Sequence, residues 1–134
     1  MEQHATLELA PELRAPRAAR AFAAETLAGW DLPTDCVEAA QLVVSELVTN
    51  ALRHAPESPT VVLQLILTGD SIRVLVSDHG PGEPERMQSE PRSDVRGRGI
   101  WIIDAFTERW GTEPDDGGGK TVWSELRVAP TTER

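Results

Sequence analysis

The chain has 134 residues, of which 22 are acidic and 13 are basic, so its formal net charge is −9. This negative charge repels phosphate backbones and anionic lipid, which argues against nucleic acid or a membrane as a direct partner. The single cysteine, Cys36, cannot form an internal disulfide, and the sequence after Met1 lacks the basic start and apolar run of a signal peptide, so we expect a cytoplasmic protein.

The first half of the chain predicts one strand followed by two helices. Residues 5–9 alternate between apolar and polar side chains, as a short strand does. Pro16 suits the first turn of a helix that Gly29 closes. Thr34 is a suitable N-cap for a second, mostly apolar helix that ends before Pro56. This long helix is expected to be the central helix of the domain.

The second half predicts a hairpin, a long loop, a short helix and a last pair of strands. "TVVLQLILT" and "SIRVLVSD" are rich in β-branched residues and are separated by the turn pair Gly69-Asp70. Residues 79–98 carry glycines, prolines and charges without periodicity, as a functional lid or a disordered loop does. Residues 99–110 have the pattern of a short helix, residues 111–119 that of a strand end and a turn, and "KTVWSELRV" that of a final strand. The elements predict an α+β sandwich, with a mixed, mostly antiparallel sheet covered on one face by three helices.

The stretch "GGGKT", which ends at Thr121, is spelled like the end of a phosphate-binding P-loop. A P-loop requires glycine five positions before Gly119, where this chain has Pro114, and its lysine must open a helix. Here Lys120 begins a strand pattern instead. We therefore interpret the glycines as a turn into an edge or near-edge strand.

The stretch "SELVTNALRHA" places polar residues on the long apolar helix. Glu46 and Asn50 are four residues apart and share one face, and Arg53 lies one turn further along. On such a helix a carboxylate and a carboxamide are either solvated at the helix edge or line a pocket. The pattern alone leaves both interpretations open.

The strand "SIRVLVSD" ends in a carboxylate on its covered face. Apolar residues alternate from Ile72 onward, and Asp78 continues their parity. Gly80 and Gly82 follow where the chain leaves the sheet and give the backbone freedom there. The alternative interpretation is an aspartate that starts an ordinary Gly-Pro-Gly turn.

A second glycine pair opens the predicted helix near residue 100. Gly97 and Gly99 flank Arg98, so free backbone amides and the positive end of the helix can face an anion. The alternative is a pair of glycines that merely starts the helix beside a solvated arginine.

Taken together in this order and spacing, these motifs resemble the GHKL superfamily of ATP-binding domains. The matching segments lie within residues 34–128 of a single domain that spans residues 1–134, and the tail at 129–134 is expected to be loose. By length and by the phrase "ELVTNALRHA", the chain is most similar to the small bacterial anti-sigma factor serine/threonine kinases. The resemblance implies a Bergerat-type ATPase fold.

The resemblance also implies ATP and Mg²⁺ as ligands. It makes Glu46 the catalytic base, Asn50 the Mg²⁺ ligand and Asp78 the acceptor of the adenine amino group. Which of Lys120 and Thr121 reaches the adenine stays open. The implied nucleotide contacts are Asn50, Arg53, Asp78, Gly80, Gly82, Gly97, Arg98, Gly99 and Thr121.

The activity implied by the resemblance is phosphorylation of a serine on a small antagonist protein. Such a kinase binds a sigma factor or a similar transcription regulator, and small members of the family often pair as homodimers. A module that binds ATP without turnover is the alternative function. A free ATPase of the gyrase kind fits less well, because the sequence shows no transducer domain to use the hydrolysis.

Overall fold

The computed structural model describes residues 2–54, 58–79, 106–114 and 119–129. In chain order they form β1 (Glu2–Leu9), α1 (Ala15–Gly29), α2 (Thr34–His54), β2 (Val61–Thr68), β3 (Ser71–Asp78), β4 (Thr107–Pro114) and β5 (Lys120–Arg127). Within these ranges, two helices cover one face of a single sheet, which confirms the predicted α+β sandwich. Neither of these helices is long and apolar enough to cross a bilayer.

The sheet has the strand order β1-β2-β3-β5-β4, and each of these neighbouring strands is antiparallel to the next. The predicted hairpin is β2 and β3, joined at Gly69, whose φ of 59° is the left-handed conformation that such short turns require. The last strand, β5, has only the edge strand β4 beyond it. The prediction of a near-edge strand after the glycine turn is therefore correct.

The core lies between the helices and one face of the sheet. Alternate residues of β2 and β3 are buried on that face, while α1 packs over β1 and α2 packs over β2, β3 and β5. Cys36 belongs to this core, where burial raises the pKa of its thiol to about 11. The thiol therefore stays protonated at neutral pH and packs as a small apolar group.

The helix predicted over residues 99–110 is wrong for its last four residues. Residues 107–110 belong to β4, where Thr107 pairs with Leu126 and Trp110 with Ser124 of β5. Periodicity over a dozen residues reports only local preference, and pairing with a neighbouring strand overrides it here. Phe106 is buried in the core, and residues 100–105 lie outside the described residues.

The C-terminus of α1 ends in a Schellman motif with an unusual residue. Asp31 has φ 64°, its amide bonds the carbonyl of Ala28 at 2.9 Å, and the amide of Leu32 bonds the carbonyl of Leu27 at 3.2 Å. Glycine usually occupies this left-handed position, because a Cβ is strained there. The strained position is Asp31 and not Gly29, the residue at which the helix was predicted to end.

Replacing Asp31 with glycine should therefore stabilise the fold. We expect Asp31→Gly to raise the free energy of unfolding by about 0.5–1 kcal/mol, because it removes the strain of a left-handed aspartate. The matched control is Asp35→Gly in the first turn of α2, which should lower that free energy by a similar amount. Urea denaturation of both variants measures this, and a loss of stability in Asp31→Gly would contradict it.

Candidate functional site

The structure describes five of the predicted site residues. Asp78 is fully buried, Glu46, Asn50 and Thr121 are half-buried, and Arg53 is exposed. Four predicted positions on the glycine segments, together with the arginine between two of them, lie outside the described residues: Gly80, Gly82, Gly97, Arg98 and Gly99.

A buried ion pair joins the ends of β3 and β5. Lys120 and Asp78 are direct partners across the two strands, and Lys120 Nζ lies 3.0 Å from Asp78 Oδ2. The exposed fractions of the two side chains are 5% and 2%. The alternation of β3 points Asp78 toward the helices, as predicted, so the pair lies under the helical layer at the end of the sheet.

Gly119 lets the backbones of the two strands approach closely at this pair. A Cβ placed on Gly119 would collide with the carbonyl oxygen of Asp78 and would lie 2.7 Å from the Cα of His79. Both obstacles are backbone atoms, which cannot move aside as a side chain can. A residue with a side chain at position 119 would therefore separate the strand ends that the ion pair joins.

The same end of β3 is tied to the segment after α2. The amide of His79 donates to Ser58 Oγ at 2.9 Å, and this hydroxyl donates to the carbonyl of Thr60 at 2.6 Å. Ser58 is four residues beyond His54, the last residue of α2, so these two residues are at most roughly 14 Å apart. The end of α2 therefore lies near the end of β3 that Ser58 contacts. Asn50, one turn before that end, therefore lies at the same end of the domain as the ion pair.

The flank of α2 that carries Glu46 and Asn50 faces away from α1. On the other flank, Arg20 of α1 donates to Ser45 Oγ at 2.8 Å, and the Arg20 carbonyl accepts from Gln41 Nε2 at 3.2 Å. Helical spacing puts Glu46 and Asn50 across the buried stripe from these contacts. Because α2 lies over β3 and β5, the flank with the carboxylate and the amide borders the strands that hold the buried ion pair.

Thr121 is not brought together with Asp78. Thr121 and Ser77 point to the opposite face of the sheet, where their hydroxyl oxygens lie 2.7 Å apart. Of the two residues left open by the sequence, the structure places Lys120 beside the carboxylate. The alternation of β3 in the sequence predicted the face of the sheet on which Asp78 lies. The face on which Lys120 lies could not be predicted, because it depends on where β5 begins.

A different polar cluster lies on the face of the sheet opposite α1 and α2. Glu125 accepts from Arg109 at 2.8 Å and from Arg73 at 3.4 Å, and these guanidinium groups, Arg109 first, lower the pKa of its carboxyl. The Arg73 guanidinium also lies 5.3 Å from the centre of the Trp123 ring. The arginines are largely exposed, so this cluster lacks the desolvated character of the Asp78–Lys120 pair.

The buried end of the sheet has the chemistry to recognise a polar planar group. A desolvated carboxylate and ammonium offer an acceptor and a donor side by side, and hydrogen bonds to charged groups are stronger than neutral ones. Among the described residues, no three His, Cys, Asp or Glu side chains cluster as a metal site. Sequence reasoning missed Ser58, which fixes the end of β3, because a serine between a helix and a strand carries no signal of its role.

The chain matches known proteins over most of its length. The family described as "Histidine kinase-like ATPase domain" matches residues 9–124. The Anti-sigma F factor of Anoxybacillus flavithermus is 31% identical over 100 residues, which cover 67% of this chain and 68% of that protein. The sensor protein KdpD of Rathayibacter rathayi is 32% identical over 104 residues, which cover 66% of this chain and 12% of that protein.

Two further matches concern part of a larger protein. Blue-light-activated histidine kinase 2 of Erythrobacter litoralis is 41% identical over 59 residues, which cover 41% of this chain, and the chain spans 17% of that protein's length. In the crystal structure of the RsbU and RsbW domains of Rv1364c from Mycobacterium tuberculosis, a similar fold has a TM-score of 0.67 at 22% identity. That fold covers 93% of this chain and 32% of the solved one.

The family match extends beyond the segments that carry the predicted motifs and includes α1 and all five strands in whole or in part. The family and the likeness to an anti-sigma factor support an ATP-binding regulatory protein. The chain belongs to the histidine kinase-like ATPase domain family, of GHKL type, and resembles its small anti-sigma factor members.

Proposed function

We propose that the protein is a cytoplasmic, Mg-ATP-dependent serine/threonine kinase of the anti-sigma factor type. The observation that carries this proposal is the position of Asp78, a buried carboxylate at the end of β3, at the same end of the domain as Asn50 on α2. Glu46 stands one turn from Asn50 on the same helix flank. The proposed adenine acceptor, Mg²⁺ ligand and catalytic base thus lie on the neighbouring elements β3 and α2.

The residues present fit an adenine nucleotide and Mg²⁺. Asp78 would accept hydrogen bonds from the adenine amino group, and the Asn50 side-chain oxygen is the hard ligand that Mg²⁺ prefers. Arg53, one turn from Asn50 and exposed, would contact the phosphates. The remaining proposed phosphate and base contacts lie on the glycine segments: Gly80, Gly82, Gly97, Arg98 and Gly99. Thr121, also among the proposed nucleotide contacts, lies on the opposite face of the sheet, where its hydroxyl oxygen is 2.7 Å from that of Ser77.

Glu46 supplies the proton transfer in this proposal. Its carboxylate would take the proton of the acceptor serine while that oxygen bonds to the γ-phosphorus and the bond to the β-phosphate oxygen breaks, which leaves phosphoserine and ADP. When bound, Mg²⁺ would neutralise the charge on the phosphates. The half-burial of Glu46 shields the carboxylate from bulk water while leaving it reachable.

The proposed partners are a sigma factor or similar regulator and a small antagonist protein that carries the acceptor serine. The similarity to an anti-sigma F factor over two thirds of both chains supports this choice. We further propose that two copies pair, as small members of the family do. Incubation with γ-labelled ATP and candidate antagonists tests the kinase, and label that stays on ATP with each candidate would refute it.

Replacing the proposed base should separate transfer from binding. We expect Glu46→Ala to lower phosphoryl transfer by about 10²- to 10⁴-fold, the usual contribution of a positioned general base, while ATP affinity stays within about threefold. Glu25→Ala, an exposed glutamate on α1, is the matched control and should leave both unchanged. Transfer that survives in Glu46→Ala would assign the base elsewhere. ATP binding without transfer in the wild type would favour the nucleotide-sensing alternative.

A further inference from the structure

The Lys120 ammonium has more hydrogen-bond donors than the described residues around it use. An ammonium carries three N–H donors and no acceptor. Among the residues that the structure describes, its side-chain partner is Asp78, through Oδ2 at 3.0 Å, and the Lys120 side chain is only 5% exposed. A buried donor without an acceptor costs free energy, so the remaining N–H groups suit an acceptor that arrives with a ligand.

The ammonium and the carboxylate together form a two-point recognition surface. They are held side by side because Lys120 and Asp78 are register partners on adjacent antiparallel strands, and Gly119 keeps the two backbones close. An acceptor next to a donor complements a base edge on which an amino group stands beside a ring nitrogen. Adenine has such an edge on both sides of its amino group.

We propose that Lys120 is a base-recognition residue that donates to a ring nitrogen flanking the adenine amino group, while Asp78 accepts from that amino group. This inference rests on the proposed nucleotide-binding function and adds a specificity-determining residue to it. The ammonium keeps its contact with Asp78 Oδ2 and uses a second N–H for the base. A carboxylate has about four lone-pair sites, so Asp78 can accept from the amino group in addition to its contact with Lys120.

If Asp78 alone recognised the base, the affinity would depend only on the amino group. A purine that has carbon in place of a ring nitrogen should then bind as tightly as adenine. With Lys120 as a partner, the same replacement leaves a buried ammonium donor without its acceptor. A hydrogen bond to a charged group accounts for about 10-fold to 100-fold in affinity.

Calorimetry with ATP and three analogues tests this on the wild-type protein. The analogues are 1-deaza-ATP and 7-deaza-ATP, which each lack one flanking ring nitrogen, and purine riboside triphosphate, which lacks the amino group. We expect about 10-fold to 100-fold weaker binding for one of the two deaza analogues and for the purine riboside analogue. Equal affinity of both deaza analogues and ATP would overturn the role of Lys120.

A lysine variant supplies the matched comparison. Lys120→Met keeps a long side chain without donors and should bind ATP and the sensitive deaza analogue equally, while still discriminating against purine riboside triphosphate. A variant that keeps the full preference for the ring nitrogen would overturn the assignment. If Lys120→Met does not fold, the wild-type series decides alone. Wild-type protein that fails to bind ATP refutes the proposed function itself, whereas binding without ring-nitrogen preference refutes only this inference.

Discussion

Replacing Lys120 with methionine is expected to lower the free energy of unfolding by about 3–5 kcal/mol in the absence of nucleotide. The substitution leaves the Asp78 carboxylate, whose side chain is 2% exposed, without the ammonium 3.0 Å away. The cost is that of a buried charge that has lost its ion-pair partner, and it exceeds what the pair contributes over two apolar residues. Denaturation in urea at neutral pH measures it.

The control for this prediction is an exposed ion pair in the same sheet. Arg109 lies 2.7 Å from Glu125 but is 65% exposed, so Arg109→Met should change the free energy of unfolding by no more than about 1 kcal/mol. The double variant Lys120→Met, Asp78→Leu should recover much of the loss, because no buried charge remains. Similar small losses in Lys120→Met and Arg109→Met would show that the pair at the strand ends is not desolvated in solution.

Replacing Gly119 with alanine is expected to destabilise the protein by about 3 kcal/mol, because the new Cβ collides with backbone that cannot yield locally. The collision is with the carbonyl of Asp78 and the Cα of His79, so the strand ends must separate. We therefore expect weaker ATP binding as well as lower stability, since the proposed acceptor moves with its strand. Thermal unfolding and calorimetric titration with ATP measure the two effects.

Gly29→Ala makes the same chemical change where there is room for it. A Cβ on Gly29 meets nothing within 4 Å, and this residue lies in the last turn of α1. Alanine should raise the free energy of unfolding there by about 0.5–1 kcal/mol, because it favours the helix. Gly119→Ala with unchanged stability and ATP affinity would contradict the tight approach of β3 and β5.

Local patterns in the sequence predicted the elements that are regular on their own. The alternation of apolar and polar residues predicted β3 and the burial of Asp78. The apolar face of α2 predicted its central position. The helix predicted over residues 99–110 was wrong where β4 begins, because the pairing of residues 107–110 with β5 depends on residues more than ten positions away. Non-local pairing of this kind leaves no periodic signal within the segment.

The site was predictable as a set of residue types, but not as a set of contacts. Asp78 was identified from its parity, whereas the choice between Lys120 and Thr121 required the register of β5. A shift of one residue exchanges the two faces of a strand, so this choice determines whether an ammonium or a hydroxyl meets the carboxylate. The register partner of Asp78 is Lys120, and Thr121 falls on the other face with Ser77.

Two neighbouring side-chain pairs join the ends of β3 and β5, one on each face of the sheet. Ser77 and Thr121 bond on one face, and Asp78 and Lys120 pair on the other. Their rotamers are therefore largely fixed when the chain folds, so the conformational entropy of these four side chains is already lost before a ligand arrives. A nucleotide that binds at these strand ends therefore has little side-chain entropy left to remove. Its affinity there depends more on hydrogen-bond complementarity than on the cost of reorganising the protein.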